Sequence, residues 1–547
     1  MRIRSTKVRA GAAALLVIGL AAGPAAHAAT KKSTKNLGGA TFVDLQNFAA
    51  GEPDHIDPAL ASTLTGAQVS ILMYDSLTDT DANGTLVPAS ASKWTTADNG
   101  KTWVFTIKKG LKFADGTTVL PSSFKAGWDR ATGQAFASEV AYHSYIIAGY
   151  EDFNNKGGAT PTSVVPNDKA LTLTVTLKEA FLGFPAIASH PVFSPIPKSM
   201  YNSGTKVEED GTKLVGNGPY MLKEAITKQA GGKVTLVRNP FFAGTPGTLK
   251  EIEFRITKDV NAAYNAFESG QGLSSVIPAG KFTEATGKYG TQGTTPVLGT
   301  DYWAFNWEDP VVGGTKNVLL RKAIVKGIDR AQIADQIYQG SRKPVDQLVP
   351  KGIPGYKAGL GLGTARDLAG AKADFAAWQA AGNKLDVPLR FSFNEGANWD
   401  KVATIMISNM KEVGIDAKLD PFPADGTYFS KMRTGKGQVI RSGWFADYVL
   451  YDNFMFPLLH KASIDGDNLA RYNSDKFSGL VDQARANPDV AASADLYTQA
   501  EKLALSEDVV VMPTTGRFNN MVFSSKVKGL EITPLGFVQY QKLTVEG

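Results

Sequence analysis

The chain has 547 residues, of which 43% are hydrophobic and 20% charged, so it can bury the cores of two or three domains. Lysine and arginine exceed the acids by six, but the basic residues are scattered along the sequence and give no indication of nucleic-acid binding. There is no cysteine, which excludes disulfide bonds and a lipid anchor on a thiol.

The N-terminus carries the pattern of an export signal. Four basic residues stand within the first nine positions: Arg2, Arg4, Lys7 and Arg9. The apolar run that follows, 10–22, has about 13 residues, fewer than the ~20 that a bilayer-spanning helix needs. Small residues then lead to Ala28, so we predict a signal peptide over 1–28 that is cleaved after Ala28. Its removal takes away four cations and no acid, which lowers the net charge from +6 to about +2.

Alternating apolar residues predict strands in the first half of the chain. In the segment 103–113, Trp103, Phe105 and Ile107 alternate with polar residues, as in a strand with one buried face. The same alternation recurs in three further segments: 171–177, 233–239 and 251–256. These segments predict half-buried strands in a mixed α/β chain.

Helical spacing appears in the second half. Apolar residues recur at a period near 3.6 in 318–339 and again in 399–414, which ends at Gly414, a favourable helix terminator. The strand-like segment 415–422 follows directly, and this helix-to-strand order indicates α/β architecture. Three turn-rich stretches are the predicted joins between domains: 78–92, 287–299 and 511–516.

Signals of catalysis or metal binding are weak. The sequence contains no G-x-S-x-G, H-E-x-x-H or G-x-x-x-x-G-K-S/T motif, and the glycine run at 359–363 follows no predicted strand. Four histidines lie beyond the signal peptide: His55, His143, His190 and His460. No two of them have the spacing of a metal or catalytic pair on one element, so we predict no metal site, although the fold could still bring two together.

One stretch, RSGWFADYVLYDNF at 441–454, surrounds Asp447 with aromatic residues. A carboxylate taken out of water needs a partner, which could be a structural arginine, a metal, a proton in catalysis or the charge of a ligand. Asp452 is five residues away, and two acids some 5–10 Å apart could serve a glycosidase. A secreted hydrolase therefore remains an alternative at this point.

Five stretches in order resemble one family: 57–77, 101–130, 216–242, 301–330 and 441–454. Together they make the chain similar to the family 5 extracellular solute-binding proteins of ABC importers, and most like the oligopeptide- and dipeptide-binding members. The resemblance implies an exported, monomeric binding protein without catalytic activity, cofactor or nucleic-acid partner. It would capture short peptides and deliver them to an ABC permease in the membrane, working in the periplasm or at the cell surface.

The resemblance also implies a fold. Family members are α/β proteins with two lobes, joined by a two-stranded hinge, in the periplasmic-binding-protein arrangement of type II, the Venus flytrap. The first lobe would comprise 37–79, 190–297 and 514–547. An extra subdomain of that lobe would span 80–189, and the second lobe 298–513. Ligand is enclosed when the lobes close about the hinge.

The resemblance assigns roles to residues of the 441–454 stretch. Asp447 would pair with the peptide's α-ammonium group, and the main chain of Gly443 and Phe445 would bond the peptide as an added strand. Arg441 could meet the carboxylate of a short peptide, since its planar guanidinium can grip a carboxylate with two hydrogen bonds. The competing interpretation is an internal salt bridge between Arg441 and Asp447.

Aromatic residues would frame this ligand site. We expect Trp444 and Tyr448 to serve in packing, with only edge contact to the ligand, and Tyr142 or Tyr145 to reach the ligand from the extra subdomain. Relatives often have proline where Tyr451 stands and tyrosines where 514–517 reads Thr-Thr-Gly-Arg. Oligosaccharides and metal complexes are alternative ligands on this fold, but an acid such as Asp447 favours a peptide.

Overall fold

The computed structural model describes residues 40–45, 53, 55–201, 213–257, 259–395, 398–423 and 427–546. The predicted signal peptide and its cleavage site lie outside these residues. Among the described helices, none combines the length and the apolar character that crossing a bilayer requires.

The described elements alternate between strands and helices along the chain. The strands are β1 (Thr41–Leu45), β2 (Thr78–Thr80), β3 (Leu86–Pro88), β4 (Ala91–Thr96), β5 (Thr102–Ile107), β6 (Val164–Asn167), β7 (Thr172–Thr176), β8 (Tyr220–Leu222), β9 (Lys233–Arg238), β10 (Glu251–Arg255), β11 (Ser274–Val276), β12 (Pro296–Phe305), β13 (Lys343–Pro344), β14 (Leu389–Asn394), β15 (Ala417–Phe422), β16 (Val439–Phe445), β17 (Val511–Phe518), β18 (Met521–Phe523), β19 (Val527–Lys528) and β20 (Thr544–Val545). The α-helices are α1 (Leu64–Met73), α2 (Pro121–Thr132), α3 (Tyr150–Lys156), α4 (Phe184–Ile187), α5 (Val260–Glu268), α6 (Phe282–Tyr289), α7 (Val318–Gly327), α8 (Arg330–Gln336), α9 (Leu368–Ala380), α10 (Trp399–Val413), α11 (Tyr428–Arg433), α12 (Asp452–Leu459), α13 (Asp475–Ala486) and α14 (Val490–Lys502).

Three sheets organise these elements. One six-stranded sheet has the order β18-β11-β1-β10-β9-β8, and a second has the order β13-β17-β12-β16-β14-β15. A four-stranded antiparallel sheet, β4-β5-β7-β6, has its own core. The molecule is thus an α/β protein with two lobes and an extra subdomain, as predicted. Strands β12 and β17 pair in antiparallel fashion, and their pairing continues toward the first sheet where Asn519 N–H donates to Thr295 O.

Most predicted elements are confirmed, with three corrections. Strand β5 ends at Ile107 instead of reaching residue 113, because the chain turns at Gly110, where φ is +84°. The predicted helix 318–339 is two helices, since Ile328 is extended and Asp329 caps the second by accepting from Gln332 N–H. The stretch 511–516, predicted as a turn-rich join, is part of strand β17.

A buried ion pair fixes the segment that enters the subdomain. Arg130, near the end of α2, donates to both carboxylate oxygens of Asp57 at 3.0 and 2.6 Å, and its guanidinium lies over the Phe136 ring. Asp57 also accepts from Ala59 N–H, while Ser138 donates to Ala59 O. A charge pair this deeply buried needs such complete hydrogen bonding to be tolerated. The segment just after Asp57 is thereby held in place where it lines a cavity.

Candidate functional site

A cavity of about 180 Å³ lies where the subdomain and both lobes meet. Its lining comes mainly from five parts of the chain: stretches within 61–80, 140–143, 189–191, 445–447 at and just after the end of β16, and 533–539. Residues 445–447 lie at the end of a strand of the second sheet, whereas most of the other lining belongs to the first lobe and the subdomain. A ligand in the cavity would therefore contact the second lobe as well as the first lobe with its subdomain. Tyr142 and Phe445 are more than one-third exposed beside it.

Asp447 is held in this cavity by Asn453, in the first turn of α12. The Asn453 Oδ1 atom accepts from Trp444 Nε1 at 3.0 Å and from Asp447 N–H at 2.9 Å. Its Nδ2 atom then donates to Asp447 Oδ2 at 3.1 Å. One amide side chain therefore fixes both the backbone and the carboxylate of Asp447, a role that sequence spacing alone did not reveal.

The partners of the Asp447 carboxylate are neutral. Besides Asn453, the hydroxyl of Tyr142 donates to it, and within the described part of the chain no cation forms an ion pair with it. Burial raises the pKa of Asp447 to about 7, against the opposing effect of the Asn453 hydrogen bond. A carboxylate in such a setting gains more from an arriving cation than a solvated one does, because its charge is poorly compensated.

Two histidines form the wall next to Asp447. The ring centroids of His143 and His190 lie 4.0 Å apart with the ring planes tilted by 32°, and the centroid of the Tyr142 ring lies 4.1 Å from that of His143. Burial lowers the pKa of His143 well below its usual value and that of His190 to about 3, so both rings are neutral near pH 7. The two residues are 47 positions apart, and no local pattern could have paired them.

The edge of β16 is open beside the cavity. Strand β14 pairs with β16 only at Val439 and Ile440, whereas β12 follows β16 along its whole length. Ala446 N–H donates to Leu298 O of β12 at 2.7 Å, and backbone groups of successive residues point to opposite edges. The N–H and C=O groups of Gly443 and Phe445 therefore point away from β12, toward the open edge.

A second charged group, the arginine cluster, occupies the same strands. It consists of Asp301 and three arginines: Arg342, Arg441 and Arg517. The Nη2 atom of Arg517 lies 2.6 Å from Asp301 Oδ1, and Arg342 pairs with the other oxygen. Burial alone would raise the pKa of Asp301, but Arg517 and Arg342 hold it below its usual value.

Arg441 belongs to this cluster and does not pair with Asp447. Its guanidinium lies 3.9 Å from the centre of the Trp399 ring and donates to Asn394 Oδ1 at 3.2 Å. The internal salt bridge between Arg441 and Asp447 that was weighed from sequence is therefore absent. Arg517 lies across Gly443, where an added Cβ atom would also come within 2.7 Å of Asp301 Oδ1, so a larger residue here would force the Arg517–Asp301 pair to shift.

Other predicted residues lie beside the cavity without lining it. Tyr448 is buried, and its hydroxyl donates to Asp452 Oδ2 at 3.1 Å. Asp452 also accepts from Tyr497 and lies 3.4 Å from Arg485, so it is not poised to act with Asp447 as a second catalytic acid. Tyr145 donates to Asn154 inside the subdomain.

Comparisons with known proteins agree with this geometry. The profile of the bacterial extracellular solute-binding proteins, family 5, matches residues 85–466. The periplasmic murein peptide-binding protein MppA of Escherichia coli K12 is 28% identical over 510 residues, which cover 91% of this chain and 92% of MppA. YgiS of the same strain, described as a probable deoxycholate-binding periplasmic protein, is 26% identical and covers 82% of this chain and 84% of its own.

A solved structure extends the comparison to the fold. The substrate-binding domain of an oligopeptide ABC transporter from Bacillus anthracis Ames superposes with a TM-score of 0.73 at 22% identity. The match covers 93% of this chain and 99% of that one. Since the family profile spans well over half of the residues, this chain belongs to the family 5 bacterial extracellular solute-binding proteins.

Proposed function

We propose that this protein captures short peptides by their N-terminal ammonium group and delivers them to an ABC transporter. The observation that carries the proposal is Asp447, an acid in a cavity whose carboxylate, among the described residues, has hydrogen bonds from the neutral groups of Asn453 and Tyr142 and no ion pair. A peptide ammonium would supply the missing cation with a charge-assisted hydrogen bond. The names of MppA and of the Bacillus anthracis protein support peptides and an ABC transporter as ligand and partner.

The open edge of β16 supplies the second half of the recognition. Gly443 and Phe445 offer backbone donors and acceptors that an extended peptide can pair with as an added strand. Backbone pairing does not depend on the peptide's side chains, so the protein could bind peptides of many different sequences with similar affinity. Arg441 lies farther along the same strand, beside the rest of the arginine cluster, in the direction in which the carboxylate of a short peptide would lie.

An anionic or neutral solute fits the cavity less well. Deoxycholate, the probable ligand of YgiS, carries a carboxylate and no ammonium group, and it would face Asp447 as a like charge. An oligosaccharide could stack on the aromatic rings of Tyr142 and Phe445, but a neutral sugar has no cation to pair with Asp447. The charge of Asp447 therefore selects a ligand that ends in a cation.

The remaining features of the proposal follow from this role. The protein acts as a binder and not as an enzyme, is exported by means of the 1–28 signal, and works as a monomer. Its two lobes close on the ligand, and the subdomain, 80–189, supplies Tyr142. The first lobe comprises 37–79, 190–297 and 514–547, and the second comprises 298–513.

The proposal is tested by identifying the ligand that copurifies with the protein. We expect native mass spectrometry of the purified chain to release short peptides of unaltered mass, and incubation with a peptide library to yield no hydrolysis products. The variant Asp447→Asn should purify with little bound peptide, whereas Asp475→Asn, which alters an exposed acid paired with Lys461, should retain it. Release of a sugar or a steroid, or equal peptide occupancy in both variants, would overturn the proposal.

A further inference from the structure

Three metal-binding side chains converge on one side of the cavity. His143, His190 and Asp447 each present a nitrogen or oxygen atom, and these three atoms lie within 4.8 Å of one another. Two imidazoles and one carboxylate form a donor set that suits zinc, nickel and copper. We propose that these residues bind one divalent transition-metal ion, with at least one coordination position open to the cavity.

His143 gives an independent reason for a ligand at this place. Its side chain is 95% buried, since only 5% of the residue surface is exposed, and its Nε2 atom has no hydrogen-bond partner among the described residues. A buried polar nitrogen without a partner is unfavourable and uncommon in native proteins. A metal ion bound next to Asp447 would accept the lone pair of this imidazole nitrogen.

The geometry requires a small contraction on binding. Ligand atoms about 2.0–2.1 Å from a tetrahedral zinc ion lie roughly 3.4 Å apart, so the three donor atoms must approach one another by up to about 1.4 Å. His190 must also exchange one bond, because its Nδ1 atom accepts from Val192 N–H at 3.2 Å and a neutral metal-bound imidazole carries its proton on the other nitrogen. That hydrogen bond is long and belongs to a single turn at 191–193, so the ring can give it up.

The ion would connect two parts of the molecule. His143 lies in the subdomain and His190 directly after it, at the start of the returning first lobe, whereas Asp447 follows β16 of the second sheet. A metal bound by all three therefore favours the arrangement in which the two sides are together. Because Asp447 can compensate only one cation at a time, the metal and a peptide ammonium group compete for it.

The metal site does not depend on the ligand being a peptide, and the test keeps the two apart. Ligand-free protein is titrated with zinc chloride and nickel chloride in a calorimeter, and metal content is counted by native mass spectrometry. We expect one ion per chain, with affinity reduced at least tenfold in His143→Gln and in His190→Gln. The matched control His55→Gln should bind metal as the unaltered protein does.

A second measurement covers the case in which a histidine variant folds poorly. Cobalt(II) added to the unaltered protein should give the visible absorption of a four- or five-coordinate site with imidazole ligands, and zinc should abolish it. Peptide affinity of the unaltered protein is measured in the absence of metal, so that a failure of peptide binding and a failure of metal binding are separate results. Absence of stoichiometric metal binding by the unaltered protein, or binding that both histidine substitutions leave unchanged, would overturn the metal site.

Discussion

The second lobe holds one buried and one half-buried acid with opposite surroundings. Asp301, on β12, is 1% exposed, forms ion pairs with Arg342 and Arg517, and is also stabilised electrostatically by Arg441. Asp447, just beyond β16, has hydrogen bonds from an amide and a phenol and no ion pair with any described residue. The pKa of Asp301 is lowered and that of Asp447 is raised to about 7, although burial acts in the same direction on both.

The difference separates a structural charge from a charge that awaits a ligand. Three arginines surround Asp301, so its negative charge is fully compensated within the chain. Asp447 is held just as firmly, by Asn453, but its charge remains uncompensated. Burial of an acid is therefore a poor guide to function, whereas the count of cations around it distinguishes the two roles.

The largest change in stability is expected from Asp301→Asn. This substitution leaves three guanidinium groups close together without their carboxylate, and loss of one partner of a buried charge cluster typically costs about 3–5 kcal/mol. Urea unfolding followed by circular dichroism should show this loss, while Asp475→Asn should show almost none. A variant of unchanged stability would contradict the structural role assigned to Asp301.

A smaller effect is expected from Arg517→Gln. Asp301 keeps its ion pair with Arg342 and the electrostatic effect of Arg441, and the crowding of three like charges is relieved. We therefore expect a loss of about 1.5 kcal/mol, typical of a hydrogen bond to a charged group. The same unfolding experiment measures this loss of stability. The control is Arg390→Gln, because Arg390 is more exposed than Arg517. A loss as large as that of Asp301→Asn would show that Arg517 is the essential cation of the cluster.

The smallest effect is expected from Asn453→Ala, and it should appear in binding. Asp447 keeps its charge but loses the two hydrogen bonds that orient its backbone and its carboxylate. We expect peptide affinity to fall about tenfold, which corresponds to roughly 1.4 kcal/mol. Calorimetry with one peptide should show this reduction in affinity. The control Asn383→Ala, which removes an amide that donates to Trp378 O, should leave the affinity unchanged. An unchanged affinity would mean that Asp447 needs no such support.

The sequence predicted the parts of the molecule that depend on local pattern. Alternation at Trp103, Phe105 and Ile107 gives strand β5, and Gly414, at φ +98°, ends α10 as expected. The continuous helix 318–339 was wrong because apolar spacing survives a one-residue break, and only the capping by Asp329 reveals the break.

The candidate site was predicted only where its residues are neighbours in the chain. Asp447, Gly443 and Phe445 lie on one stretch, and the structure places them at the cavity and at the open edge of β16. The packing of His143 against His190 and the grouping of Asp301 with Arg517 join residues 47 and 216 positions apart, respectively. Such pairings follow from sheet order, which a single sequence does not encode locally.

The central claim is that Asp447 pairs with the ammonium group of a peptide, and acetylation of one peptide tests it most directly. The free and N-acetylated forms of a copurifying peptide are titrated into the unaltered protein and into Asp447→Asn. We predict that acetylation weakens binding to the unaltered protein by 2–5 kcal/mol, or about 30-fold to 5,000-fold, and has little effect on the variant. Equal affinity of the two forms for the unaltered protein would contradict the account.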